Sequence, residues 1–213
     1  MIKLFIADDH TIVREGLKQI VADTPDIIVA DEASSGYEVL DKVSRMGEND
    51  YSVVVLDITL QGMNGLDVLK QIRVQRPRLP VLILSMHPEE QYAIRALRSG
   101  ASGYLTKESA SEELIEAIRR VSAGRRYVSS FLAEKLAFQL KIDSEQSLHD
   151  SLSDREYQVM CLIACGKTVG EIANELCLSI KTISTYRSRI LEKMNMKNNA
   201  ELMHYAIKHR LVD

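Results

Sequence analysis

This sequence has few cysteines and neither internal repeats nor long apolar runs. Its 213 residues include only three cysteines, Cys161, Cys165 and Cys177, without the Cys-x-x-Cys or His/Cys spacing of a metal site. This pattern argues against a redox or metal centre there and favours small buried thiols in a reducing cytosol. No apolar run approaches membrane-spanning length, and no signal peptide precedes the first predicted strand. We therefore expect a soluble, cytoplasmic protein without a membrane partner.

A strong net charge is also missing, but the formal value of -3 conceals an asymmetry. Residues 1–124 carry 14 Lys and Arg against 19 Asp and Glu, whereas residues 151–213 carry 9 against 7. Within 181–197, five basic residues face Glu192 alone: Lys181, Arg187, Arg189, Lys193 and Lys197. A basic stretch on one helix indicates contact with a polyanion, although a charged helix face is more often simply solvated.

Short apolar runs alternate with helical patterns five times between Met1 and about Gly124. Repeated strand–helix units of this kind predict a doubly wound α/β domain with five parallel strands and helices on both faces. The predicted strands are 3–7, 27–33, 52–56, 81–84 and 103–105. The predicted helices are 11–23, 36–46, 65–75, 90–99 and 111–123.

The rest of the chain has no strand pattern. Residues 125–150 are predicted to be a linker, with an amphipathic segment at 131–137 and a polar, aperiodic tether at 142–150. From 151 to 213 we predict a small all-α domain with helices at about 153–165, 169–176, 180–194 and 199–209. Ser153 and Glu156 form a capping box that marks the start of the first of these helices.

Chemistry-bearing residues follow four of the predicted strands. Asp8 and Asp9 follow the first strand, Asp57 the third, Ser85 the fourth and Lys107 the fifth. Residues just past parallel strands gather at one edge of the sheet, where ligands bind. Carboxylates suit Mg²⁺, a carboxylate can attack phosphorus, and an ammonium offsets charge on a transferring phosphoryl group. Each residue alone could be an ordinary cap or surface charge, but five in this arrangement predict a phosphoryl-transfer site.

Residues 1–124 resemble the flavodoxin-like receiver domain of bacterial two-component response regulators. The segments that carry the resemblance are Ile6–His10, Leu56–Ile58 with Met63–Gly65, Leu84–His87 and Gly103–Lys107. The resemblance implies that Asp57 is the phosphoacceptor and that Asp8, Asp9 and Asp57 bind Mg²⁺. It also implies switch roles for Ser85, Tyr104 and Lys107, with the Tyr104 rotamer reporting phosphorylation, and a sensor histidine kinase as the phosphoryl donor.

The C-terminal part is similar to the LuxR-type helix-turn-helix of the NarL/FixJ class. The matching runs are Leu152–Glu156, Glu171–Ala173 and Leu178–Ile183. Two further runs, Tyr186–Ile190 and Asn198–Leu202, especially resemble the GacA/UvrY-like branch of that class. The resemblance implies a transcription regulator that binds double-stranded promoter DNA, with RNA polymerase as a possible further partner.

The helix predicted after Ser179 has two different faces. Ile183, Ile190 and Met194 share the face expected to pack on other helices. Small polar residues on the opposite face could approach base edges in the major groove, and long basic residues near them could hold phosphates. The predicted DNA-binding residues are Lys181, Thr182, Ser184, Thr185, Arg187, Ser188, Arg189 and Lys193.

The last predicted helix has apolar residues on more than one side: Leu202, Met203, Tyr205, Ala206 and Ile207. A wide core face and a second partner explain this equally well, and the same helix in a phosphorylation-induced homodimer would be such a partner.

Two rival functions remain open beside a non-enzymatic regulator. A haloacid-dehalogenase-type phosphotransfer enzyme would also use an aspartyl nucleophile, but it needs a second Asp two residues later, where this chain has Thr59. An interaction or RNA-binding regulator without sequence-specific DNA contacts is the other alternative.

Overall fold

Five parallel strands form a single sheet in the computed structural model, which describes residues 1–47, 50–109, 111–129, 132–133, 147–209 and 211–212. The strand order is β2-β1-β3-β4-β5, and every neighbouring pair is parallel. The chain direction across the sheet therefore reverses between β1 and β3, the point where doubly wound sheets bind ligands. The strands are β1 (Ile2–Ala7), β2 (Ile27–Ala33), β3 (Val53–Leu56), β4 (Val81–Ser85) and β5 (Gly103–Thr106).

Helices follow each strand, as the alternating sequence pattern predicted. They are α1 (Thr11–Ala22), α2 (Gly36–Arg45), α3 (Gly65–Gln75), α4 (Glu89–Arg98) and α5 (Ser111–Ser122). The fourth had the weakest pattern because only Ala93, Ala96 and Leu97 marked its apolar face. Its packing also uses Tyr92, which is fully buried beside Ala93 and Ala96.

The central strands are buried on both faces, which explains their continuous apolar runs. Every residue of β3 is buried, and so is every residue of β4, including the polar Ser85. One apolar core joins the inward faces of α1 and α5 to the sheet through residues such as Leu17, Leu82 and Ile118. This packing fixes the carboxyl ends of β1, β3, β4 and β5 relative to one another.

The chain divides into two compact units, Met1–Leu136 and Ala137–Asp213. The first unit extends beyond Gly124, the predicted end of the receiver domain. Tyr127 belongs to it, since its amide donates to the Ser102 carbonyl at 2.9 Å beside β5. Most of the predicted amphipathic segment at 131–137 lies outside the described residues.

The second unit contains four helices and a short 3₁₀ helix, Leu148–Ser151, among its described residues. The helices are α6 (Asp154–Ala164), α7 (Val169–Glu175), α8 (Ile180–Lys193) and α9 (Asn199–Lys208). The predicted capping box of Ser153 and Glu156 is present, and Thr168 with Glu171 forms a second one. Ser179 caps α8 by accepting the Thr182 amide hydrogen at 3.1 Å.

Two expectations drawn from the sequence were wrong in this unit. The last three residues of the predicted tether are not aperiodic, because they belong to the 3₁₀ helix, where His149 Nδ1 lies 2.9 Å from the Tyr205 hydroxyl. Burial of the thiols holds for Cys161 only. Cys165 ends α6, and Cys177 occupies the turn before α8, so both are exposed at helix ends.

Candidate functional site

The carboxyl edge of the sheet brings Asp8, Asp57 and Lys107 together. Asp8 and Asp57 are only 2% and 3% exposed. The Lys107 ammonium lies 2.7 Å from Asp57 Oδ2 and 2.6 Å from Asp8 Oδ2. Three residues that are 49 to 99 positions apart in the sequence therefore meet at one point, because parallel strands end at the same edge.

Asp9 and His10 complete an acidic cluster at this edge. Possible ligand atoms of Asp8, Asp9, His10 and Asp57 all lie within 4.8 Å of one another. Asp9 Oδ1 is buried and accepts no well-oriented hydrogen bond among the described residues, although His10 Nδ1 lies 2.8 Å away. An oxygen-rich cluster with an unsatisfied carboxylate oxygen fits a hard divalent cation such as Mg²⁺. No role was predicted for His10, whose side chain is 62% exposed.

The protonation of Asp57 is set by opposing influences. Burial and, to a smaller extent, the nearby Asp8 raise the pKa of its carboxyl group, while Lys107 and the Thr59 amide lower it, and the net result is a pKa raised to about 6. For Lys107, burial alone would lower the pKa, but the two carboxylates outweigh it and the pKa is raised. At neutral pH Asp57 is therefore mostly ionised and Lys107 is charged, the state that a carboxylate nucleophile requires.

The loop after β3 holds Asp57 in a fixed orientation. The Thr59 amide donates to Asp57 Oδ1 at 3.2 Å, and the Gly65 amide donates to the Ile58 carbonyl at 2.7 Å. A Cβ atom at residue 65 would collide with the Asp57 carbonyl oxygen, so only glycine permits this close approach. Asn64 caps α3 by accepting the Leu66 amide hydrogen at 2.8 Å.

Ser85 and Tyr104 both contact His87, a residue for which no role was predicted from the sequence. The buried Ser85 hydroxyl accepts the His87 amide hydrogen at 3.1 Å, and the Tyr104 hydroxyl donates to the His87 carbonyl at 2.7 Å. The His87 ring stacks on Tyr92 with centroids 4.4 Å apart, and its Nε2 lies 3.5 Å from the Thr59 hydroxyl. The β4–α4 loop is thus connected to β5, to α4 and to the loop that carries Asp57.

The second candidate surface is the exposed side of α8. Ser184, Thr185 and Ser188 are exposed, as the predicted base-reading stripe requires, and Ile183 and Ile190 are buried on the other side. The hydroxyls of Thr185 and Ser188 donate within the helix, to the carbonyls of Lys181 and Ser184 at 2.9 and 3.1 Å. Their oxygens remain able to accept hydrogen bonds from a ligand.

The basic residues of α8 differ in what they contact. Arg187 Nε donates to Asn199 Oδ1 at 2.7 Å, and Lys193 Nζ donates to Glu156 Oε2 at 2.6 Å. Lys181 and Arg189 are exposed and have no hydrogen-bond or ion-pair partner within the described part of the chain. The four basic residues predicted to hold phosphates therefore form two pairs. Arg187 and Lys193 are hydrogen-bonded to residues outside α8, and we call them committed; Lys181 and Arg189 are uncommitted.

Glu156 connects the capping box of α6 to the end of α8. It is 3% exposed and accepts both the Lys193 ammonium and the Ser153 amide, the latter at 2.8 Å. Burial raises the pKa of this carboxyl group, but the hydrogen bonds from Lys193 and Ser153 outweigh it, and the pKa is lowered overall. Sequence spacing alone identified the capping box but gave no sign of the Lys193 contact, 37 positions away.

Comparison with known proteins assigns both units to families. Residues 4–119 match the response regulator receiver domain, and residues 150–206 match the bacterial regulatory proteins of the luxR family. The chain is 37% identical over 214 residues to the response regulator GacA of Pseudomonas aeruginosa, covering 100% of this chain and 99% of GacA. It is also 37% identical over 212 residues to the response regulator UvrY of Escherichia coli K12, covering 99% and 96% of the two chains.

Solved structures of RcsB are similar over almost the whole chain. RcsB of Salmonella enterica serovar Typhimurium, bound to the promoter rprA with the phosphomimetic BeF₃⁻, has a TM-score of 0.64 and 26% identity. That match covers 96% of this chain and 98% of the RcsB chain. Two RcsB dimers bound to two parallel DNAs give a TM-score of 0.59 and 25% identity, covering 100% and 99% of the chains.

Among the described residues, no helix has both the length and the apolar character needed to cross a bilayer. The two family matches, the full-length similarity to GacA and UvrY, and the site at the sheet edge agree with one another. The chain therefore belongs to the response regulators of two-component systems, transcription regulators that join a receiver domain to a LuxR-type helix-turn-helix domain.

Proposed function

We propose that Asp57 accepts a phosphoryl group from a sensor histidine kinase and that this modification controls promoter binding through α8. The phosphoacceptor role of Asp57 is inferred from one observation: the Lys107 ammonium lies within 2.7 Å of both the Asp8 and the Asp57 carboxylates at the sheet edge. In the proposed transfer, one Asp57 carboxylate oxygen bonds to phosphorus while the bond to the donor nitrogen breaks, and an aspartyl phosphate results.

Asp8, Asp9 and Asp57 are the residues that would hold Mg²⁺. The cation, when bound, would neutralise charge on the phosphoryl oxygens. Lys107 contributes a second positive charge 2.7 Å from Asp57 Oδ2, and the Thr59 amide keeps Asp57 oriented. Asp9 supplies the unsatisfied buried oxygen of this set, so its removal should weaken cation binding more than it disturbs the fold.

Ser85, Tyr104 and Lys107 are the proposed switch residues. A phosphoryl group on Asp57 would offer a new acceptor to Lys107 and to the Ser85 hydroxyl. The Ser85 oxygen accepts the His87 amide hydrogen, and the Tyr104 hydroxyl donates to the His87 carbonyl. Movement of Ser85 would therefore displace His87 and the β4–α4 loop that contains it. This connection is how the chemical event would reach the surface of the receiver.

DNA binding is proposed for α8, with Ser184, Thr185 and Ser188 facing base edges. Support comes from their exposure and from the solved structure of RcsB bound to the promoter rprA. The sequence predicts four phosphate contacts, Lys181, Arg187, Arg189 and Lys193, with Thr182 as a further DNA-binding residue. Of the four, the uncommitted Lys181 and Arg189 are the phosphate contacts of this proposal, because Asn199 and Glu156 hold Arg187 and Lys193.

A homodimer on DNA and contact with RNA polymerase at the promoter complete the proposal. RcsB dimers bind DNA in one solved structure. In this chain Ile207 of α9 is 57% exposed, while Leu202 and Ala206 on the same helix are fully buried. The outward apolar residue, with the partly exposed Met203 one turn earlier, is consistent with a second copy packing on α9.

The relatives GacA and UvrY are response regulators, which supports a non-enzymatic role for this chain. The phosphotransfer-enzyme alternative also lacks a suitable acid, because the residue two positions after Asp57 is Thr59, whose amide orients Asp57. An RNA-binding or protein-interaction regulator would use the same exposed α8 face, and a nucleic-acid binding assay distinguishes it.

Labelling with radioactive acetyl phosphate tests the phosphoacceptor directly. The wild type should become labelled with Mg²⁺ and remain unlabelled with EDTA. Asp57→Asn should not be labelled at all, and Asp9→Asn should need a higher Mg²⁺ concentration. Asp26→Asn, an exposed aspartate paired with Arg119, is the matched control and should label normally. Labelling that persists in Asp57→Asn would disprove the assignment.

A further inference from the structure

One side of α8 forms a shallow concavity of about 280 Å³. Its lining comes from the first three turns of the helix and from the cap residue: Ser179, Lys181, Thr182, Thr185, Tyr186 and Arg189. None of these six residues is acidic. We call this surface the α8 groove. It lies beside the proposed base-reading stripe and shares Thr185 with it.

Three hydrogen-bond donors in the α8 groove are uncommitted. The Lys181 ammonium, the Arg189 guanidinium and the Tyr186 hydroxyl have no hydrogen-bond partner in the part of the chain that the structure describes. Tyr186 is half-buried, and a buried tyrosine hydroxyl ordinarily finds a partner. The Ser179 and Thr182 hydroxyls, by contrast, pair with each other at 2.8 Å and serve the helix cap.

The geometry favours an anion in the groove. Lys181 and Arg189 stand eight residues apart, about 12 Å along the helix axis, so their long side chains can approach one ligand from both ends. The positive end of the α8 dipole lies at the same end as Lys181. The nearest acidic residue along the helix is the exposed Glu192, which is outside the lining. Free inorganic phosphate would bind such an open site weakly, because solvent and salt screen exposed charges.

We propose that the α8 groove seats a backbone phosphate of bound DNA through Lys181, Tyr186 and Arg189. This inference rests on the proposed DNA-binding function and refines it. It adds Tyr186 to the proposed phosphate contacts Lys181 and Arg189, while Arg187 and Lys193 stay held by Asn199 and Glu156 and take no part. The phosphate fixes the side of α8 that faces the strand, and the stripe with Ser184 and Ser188 then enters the major groove.

Methylphosphonate substitution tests the groove without changing the protein fold. A duplex selected by the full-length wild type is synthesised with one neutral methylphosphonate at a time, and the affinity is measured for each position. The wild type should lose affinity at one or two positions. Arg189→Gln and Tyr186→Phe should bind the all-phosphate duplex less tightly and should show a smaller further loss at those positions than the wild type, because the remaining groove residues still contact the phosphate. Their folding is checked by circular dichroism.

The matched control is Arg187→Gln, which removes the same kind of charge from the same helix. It should keep the wild-type methylphosphonate pattern. The salt slope of binding should fall by about one unit in Arg189→Gln and should not fall in Arg187→Gln. Inorganic phosphate at low millimolar concentration should compete no better than the same ionic strength of chloride.

Three results would overturn the groove as a seat for a DNA phosphate. In the first, Arg189→Gln shows the full wild-type loss at every position. In the second, Arg187→Gln, and not Arg189→Gln, abolishes the pattern. In the third, inorganic phosphate competes specifically, which would identify a free-anion site. A wild type that binds no duplex would instead contradict the proposed DNA-binding function itself.

Discussion

At the carboxyl edge of the sheet, a site of Asp8, Asp57 and Lys107 that we call the receiver pocket, the Lys107 side chain is 7% exposed and lies within 2.7 Å of two carboxylates. On α8, by contrast, the side chains of Lys181 and Arg189 are exposed and have no hydrogen-bond or ion-pair partner among the described residues. The first arrangement holds charges in fixed positions where water is excluded, which suits a chemical step. The second leaves charges free to exchange counterions for phosphates, which suits reversible binding to a polyanion. Basic residues therefore serve a chemical step in the receiver pocket and reversible binding on α8.

The difference also appears in the energetics of the two regions. A buried cluster in which carboxylates outnumber ammonium groups raises the free energy of the folded state unless a cation joins it. Exposed charges cost little and contribute little to stability. Charge-removing substitutions should therefore have large effects on stability in the pocket and small ones on α8, and this contrast can be tested.

The largest expected effect is stabilisation of the protein by Asp57→Asn in buffer without divalent cations. The pKa of Asp57 is raised from 3.8 in the unfolded chain to about 6 in the fold, so ionised Asp57 disfavours folding. The stability of the wild type should fall as pH rises from about 4 through 6. At pH 8 the variant should be more stable by about 2–3 kcal/mol, and at pH 5 by roughly half of that.

Urea unfolding followed by circular dichroism at pH 5 and pH 8 measures this gap, the difference in the free energy of unfolding between Asp57→Asn and the wild type. Added Mg²⁺ should narrow it by stabilising the wild type alone. Asp26→Asn is the control, because Arg119 lowers the pKa of Asp26 and the substitution should give no stabilisation at pH 8. A gap that is absent at pH 8, or larger at pH 5 than at pH 8, would contradict the description of the pocket as a destabilising carboxylate cluster.

Much of the pocket could be predicted from the sequence. Asp8, Asp57 and Lys107 meet as expected because strand ends in a parallel sheet converge, so position along the chain determines position in space. Ser85 lies at the end of the neighbouring strand, and its role as a switch residue stays a prediction. His87 was missed because its contacts to Ser85, Tyr104 and Tyr92 arise in a loop, where no periodicity predicts them.

The charges of α8 were less predictable for a related reason. Helical spacing separated the buried Ile183 from the exposed stripe correctly. It could not show that Lys193 pairs with Glu156, because that contact depends on how α6 packs against the end of α8. The distinction between committed and uncommitted basic residues of α8 is therefore visible only in the folded domain.

A smaller effect is expected when the Glu156–Lys193 contact is removed. Lys193→Gln should lower the free energy of unfolding by about 1 kcal/mol or less, since the Lys193 side chain is 41% exposed. Glu156→Ala should cost about 1–2 kcal/mol, because it also leaves the Ser153 amide of the capping box without its acceptor. Glu192→Gln, one residue from Lys193, should change stability little.

Thermal unfolding of these three variants checks the order of effects. Lys193→Gln should also leave the salt slope of DNA binding unchanged. If instead Lys193→Gln were as stable as the wild type and lowered the salt slope by about one unit, Lys193 would be a phosphate contact, as the sequence suggested, and the distinction between committed and uncommitted charges on α8 would fail.

Equilibrium DNA binding with and without phosphorylation tests the link between the two regions most directly. A duplex selected by the wild type is titrated with the full chain before and after treatment with acetyl phosphate and Mg²⁺, and Asp57→Asn is treated identically. Typical allosteric coupling of about 1–3 kcal/mol predicts that phosphorylation tightens wild-type binding roughly tenfold or more, with no change in Asp57→Asn. Equal affinity of phosphorylated and unphosphorylated wild type would contradict the account.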